Sequence, residues 1–66
     1  MHRCLVVTHI EGRWCLTARE ALLADFSSKE DAIAEGLRMA QSNEPSRLII
    51  RRENGTTEQE RFFNAA

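Results

Sequence analysis

Only one segment of this chain carries a helical pattern, and it stands between two stretches rich in strand-forming residues. Ser28 precedes Lys29-Glu30-Asp31, so its hydroxyl can accept the Asp31 backbone N–H while acidic side chains meet the positive end of the helix dipole. Ser27 with Glu30 offers a capping box as the alternative start. Ile33, Gly36, Leu37 and Ala40 then recur on one face, flanked by Ala32 and Met39. The stripe is narrow, and its small residues allow close approach to a sheet. Asn43-Glu44-Pro45 ends the helix, because the residue before a proline resists the α region. The spacing predicts one helix over 28–42.

The flanking stretches read as hairpins. Arg3 to Ile10 is apolar and β-branched, Glu11-Gly12 makes a turn, and Arg13 to Ala18 returns with Trp14, Cys15, Leu16 and Thr17. Arg19-Glu20 bends the second strand, with 21–26 as a short extension of hairpin 3–18. Arg47 to Arg52 leads into Asn54-Gly55, where a type I′ turn accepts two positive φ values, and Thr57 to Phe63 returns as a mostly polar strand. The second hairpin therefore covers 47–63. The expected fold class is α+β, in ββαββ order: an antiparallel four-stranded sheet of two hairpins with one helix packed on one face. At 66 residues the whole chain, 1–66, is expected to be a single domain that buries roughly 60% of its unfolded surface.

Strand parity carries this further. With Glu11 and Gly12 as the central turn residues, Leu5, Val7, His9, Trp14, Leu16 and Ala18 share one face. Cys4, Val6, Thr8, Ile10, Cys15 and Thr17 share the other. In the second hairpin, pairing about Asn-Gly sets Arg52 against Thr57, Arg51 against Glu58, Ile50 against Gln59 and Ile49 against Glu60. Leu48, Ile50 and Phe63 then face one way, Ile49 and Phe62 the other. Leu5-Val6-Val7 and Leu48-Ile49-Ile50 are thus apolar on both faces, whereas one helix covers one face. Each large side chain left in water forgoes roughly 1.5–3 kcal/mol, and an exposed patch of that kind marks an interaction surface. Val6, Ile10, Ile49 and Phe62 are the expected interface, with a second copy of the chain as the expected partner.

Composition narrows the function classes. Nine basic against ten acidic side chains leave a net charge of −1, unlike a polybasic nucleic-acid protein. A mixed charged fraction of 29% with 42% hydrophobic residues disfavours disorder. No apolar run approaches the roughly 20 residues of a membrane span, so no membrane association is expected. The opening apolar run stops at Thr8-His9, too short for a secretory core, and a cytoplasmic location with reduced thiols is expected.

Few side chains suggest chemistry. His2, Cys4, His9 and Cys15 are metal-ligating types without metal-site spacing, and the parity above holds Cys4 and Cys15 roughly 13 Å apart. Two free thiols and no metal are expected. His9 opposite Trp14 could stack on a ligand, but packing at the end of a core is the simpler reading. No catalytic triad, phosphate loop or cofactor motif is present, so neither catalytic residues nor cofactors are expected. Eight of the nine basic residues are arginine, and seven of these lie outside the helix. Arginines in strands beside Trp14 and Phe62 give an alternative reading, weak nucleic-acid binding through Arg13, Arg47, Arg51 and Arg52. Glu11, Glu20, Asp25, Glu53, Glu58 and Glu60 share those segments and cancel much of the field.

Gly12-x-Trp14-x-Leu16 in a hairpin, Ser28-Lys29-Glu30-Asp31-Ala32-Ile33 opening a helix, Leu48-Ile49-Ile50 and a closing Asn54-Gly55 together resemble the short bacterial proteins grouped as domain of unknown function 2188. The likeness runs from about Val6 to Phe63. It implies the small α+β fold and brings no activity or catalytic residue with it. The expected function is therefore a non-enzymatic protein-interaction module, homodimeric through the helix-free sheet face.

Overall fold

The computed structural model describes residues 3–19 and 21–64. The elements are β1 (Arg3–Ile10), β2 (Arg13–Ala18), β3 (Ala21–Phe26), α1 (Lys29–Ser42), β4 (Ser46–Arg51) and β5 (Thr57–Phe63). They form one five-stranded sheet in the order β3-β2-β1-β4-β5, with α1 packed across β1 to β4. The class is α+β, as expected, but two features correct the four-stranded antiparallel arrangement. The segment after Ala18 is a full strand paired antiparallel to β2, and β1 and β4 run parallel at the centre of the sheet.

Both corrections have one cause. Arg19 takes a positive φ of 51° and helps to reverse the chain instead of merely bending it. A third strand then runs in the direction of β1, and α1 returns the chain to its starting end. β4 must set out in the same direction as β1. With two strands before the helix, the same path would have produced an antiparallel neighbour.

The first hairpin has the expected register. Glu11 and Gly12 both take positive φ, 49° and 79°, as a two-residue loop matched to strand twist requires. Leu5 pairs with Ala18, Val7 with Leu16, His9 with Trp14 and Ile10 with Arg13.

The second hairpin differs at its tip. Gly55 donates to the Arg52 carbonyl at 2.9 Å and Arg52 to the Thr56 carbonyl at 2.7 Å, so Glu53, Asn54 and Gly55 form a three-residue loop with Gly55 at φ 92°. Asn54 spends its side-chain oxygen on the Thr56 N–H (3.0 Å) and hydroxyl (2.7 Å). The loop shifts pairing so that Arg51 opposes Thr57, not Glu58, and a bulge between Ile50 and Arg51 restores Ile50 to Gln59 and Ile49 to Glu60. Turn and bulge cancel. Beyond them the apolar pattern of β4 keeps its expected faces.

The core lies between sheet and helix. Leu5, Val7, Leu16 and Leu48 are fully buried, with Ile50 and Phe63 nearly so. The helix contributes Ala32, Gly36 and Ala40 to the contact, and Ile33, Leu37 and Met39 pack at its flanks. Ser28 caps the helix, accepting the Asp31 N–H at 3.2 Å. At the other end Asn43 donates from its side chain to the Met39 carbonyl at 2.7 Å. The buried Ser46 hydroxyl donates to the Ala40 carbonyl at 2.6 Å, satisfying a polar group that would otherwise cost about 1–3 kcal/mol. The Glu44–Pro45 peptide bond that joins them is cis.

Candidate interaction surface

Alternation along each strand decides which side chains reach the side of the sheet away from α1. In β1 these are Cys4, Val6, Thr8 and Ile10; in β4, Arg47, Ile49 and Arg51. Val6 and Ile49 are direct partners across the parallel pair. Thr17 lies beside Val6, and Leu22 opposes Thr17 at the sheet edge. One row across four strands therefore reads Leu22, Thr17, Val6, Ile49, with Glu60 beyond. Of the four expected interface residues, Val6 and Ile49 are adjacent and half-buried. Ile10 (50% exposed) sits opposite Arg13 at one end of the sheet, and Phe62 (59% exposed) opposes Arg47 at the other.

Charged side chains flank this row and partly shelter it. Arg13 donates to Asp25 Oδ1 at 2.6 Å across β2 and β3, and Cys15, opposite both Asp25 and Thr8, is buried although no helix covers that side. Arg47 stands 3.9 Å from Glu60 and 3.5 Å from the Cys4 sulfur. Its pKa is raised, first by the contact with Cys4 and further by Glu60, so it is a permanent cation with no part in proton transfer. Both cysteines are free thiols.

The arginines of the nucleic-acid reading do not gather into one patch. Arg13 and Arg47 face acidic partners, and Arg52 is tied into its turn by bonds to the Thr56 hydroxyl (3.3 Å) and the Thr57 carbonyl (2.9 Å). Arg51 is exposed on the helix-free side.

A second cluster forms over the opposite face, at the N-terminal end of α1. His9 and Trp14 pack with ring centroids 4.8 Å apart, and Lys29 Nζ lies 5.3 Å from the Trp14 centroid. Lys29 also donates to Glu58, which is why the expected Arg51–Glu58 pair does not form: two residues of β5 oppose one of β4 here, and Glu58 joins Lys29 instead. That hydrogen bond holds the Glu58 carboxyl below the usual glutamate range, with partial desolvation opposing it. The cluster ties helix to sheet. Among the described residues no three metal-ligating side chains come together, and no helix is long and apolar enough to cross a membrane. His2 lies outside the described residues.

Sequence reasoning missed Leu22 and Leu23, which are 58% and 42% exposed. The available signal was the uncharged run Ala21-Leu22-Leu23-Ala24 followed by Asp25 and Phe26, an edge strand rather than an extension.

The chain belongs to the family described as an uncharacterized protein conserved in bacteria (DUF2188), whose model matches residues 6–63. No curated protein matches it. No solved structure matches it either.

Proposed function

We propose that this chain, as a member of that family, is a non-enzymatic protein-interaction module that pairs with a second copy of itself through the helix-free face of its sheet. The observation that carries this reading is the row Leu22, Thr17, Val6, Ile49, together with Ile10 and Phe62 left at least half exposed on a side that no element covers. Five strands at about 4.8 Å and some six residues at about 3.3 Å give a footprint of roughly 24 by 20 Å. Side-chain relief brings such a face toward the ~800 Å² per partner of a standard interface.

The charges favour a copy of the same surface over nucleic acid. The face offers Arg13, Arg47 and Arg51 together with Asp25 and Glu60, so a two-fold arrangement can set cation against anion. A phosphate backbone would have to displace Asp25 and Glu60 from their arginines.

Sedimentation equilibrium at micromolar concentration tests the proposal. The particle mass should exceed the 7.5 kDa of one chain, and Ile49→Glu should halve it while leaving the far-ultraviolet circular dichroism intact. A strict monomer over that range refutes the reading. Salt-sensitive retention of single-stranded DNA, lost with Arg51→Ala, would favour the nucleic-acid alternative.

A further inference from the structure

The two edges of the sheet are built differently. β5 presents Glu58, Glu60 and Arg61 among its seven residues, side chains that discourage another strand from adding to an edge. β3 also has a neighbour on one side only, yet four of its first residues are Ala21, Leu22, Leu23 and Ala24. Its one charge, Asp25, is already engaged by Arg13. Such an edge offers a row of backbone donors and acceptors with nothing to repel an identical strand. Leu23, the extra residue where the β2–β3 register shifts, stands beside the strand's midpoint and is 42% exposed.

We infer that β3 is a second self-association site, at which β3 of one copy pairs antiparallel with β3 of another to join two sheets into one of ten strands. This rests on the proposed face-to-face contact and completes it. Antiparallel strands are related by a two-fold axis normal to the sheet, whereas stacked faces are related by one lying between them. The two axes are perpendicular, so the contacts close at four copies instead of propagating into a fibre. The edge is also continuous with the face, because Leu22 belongs to both. The apolar rows of two copies meet across the joined edge.

The test is the mass of the full chain and its variants by sedimentation equilibrium. The unaltered chain should weigh four times 7.5 kDa. Leu23→Lys places like charges near the two-fold and should halve the mass, as should Leu23→Glu. Mixing the two variants should restore four chains, a rescue that misfolded variants could not produce. Ile49→Glu should leave pairs joined through β3, and Leu23→Lys combined with Ile49→Glu should leave monomers. An unchanged mass for Leu23→Lys, or no recovery on mixing, overturns the edge contact. A two-chain particle that ignores Ile49→Glu but dissociates with Leu23→Lys supports the edge and overturns the face.

Discussion

Replacing Gly36 with alanine sets two energies of similar size against each other. Glycine inside a helix costs roughly 1 kcal/mol relative to alanine, so helix propensity alone favours the substitution. A Cβ at this position, however, would lie 3.0 Å from Leu48 Cδ1, 3.4 Å from Leu16 Cδ1 and 3.5 Å from Leu48 Cδ2. Leu48 and Leu16 are both fully buried, so neither can swing into solvent to make room. Overpacking of this kind costs typically ~1–3 kcal/mol. The expected outcome is a net destabilisation of about 1 kcal/mol, visible as a melting temperature lowered by roughly 4–8 °C for a domain of this size. Circular dichroism melts at fixed protein concentration measure it. Leu48→Val should relieve part of the clash, so a cycle with Gly36→Ala should show a favourable coupling of at least ~0.5 kcal/mol. A higher melting temperature for Gly36→Ala would refute the close helix–sheet approach on which the core description depends.

Two further outcomes follow from the helix and its contacts. Ser28→Ala removes the acceptor of the Asp31 N–H and should cost about 1 kcal/mol in urea unfolding, whereas Ser27→Ala should cost far less because Ser27 is not the cap. Glu58 and Glu35 are each held below the ordinary glutamate value of 4.5, foremost by hydrogen bonds from Lys29 and Arg38 respectively. Their contribution is present above that value and is lost as pH falls through the lowered native values. Glu58→Gln should therefore make the urea midpoint less sensitive to acidification, and an unchanged acid sensitivity would remove Glu58 from that role.

The residues made some of this structure legible without coordinates. Helix cap, helix stop and the Glu11-Gly12 turn are local chemistry, and each acts within a few residues of where it is written. The faces of β1, β2 and β4 follow from alternation with a period of two, and a one-residue slip would expose Leu5, Val7, Leu48 and Ile50 together. That is why their assignment survived a different turn at Asn54-Gly55: the bulge absorbed the shift, since moving Phe63 off the core side would have cost more than one irregular pair.

Which surfaces remain open was not legible in the same way. Val6 and Ile49 are as apolar as expected, but flanking charged pairs, Arg13 with Asp25 and Arg47 with Glu60, lie across the same face, and those partners are 12 and 13 residues apart in the chain. Cys15 is buried there without a helix above it.

The sequence by itself determined the elements that depend on near neighbours: one capped helix, the tight first turn, and which residues of each strand share a side. The tertiary structure alone decided that Ala21–Phe26 is an edge strand and that β1 and β4 run parallel. Strand order is fixed by where each segment finds unpaired backbone and by the direction in which the helix returns the chain. Neither quantity is written in any short stretch of residues.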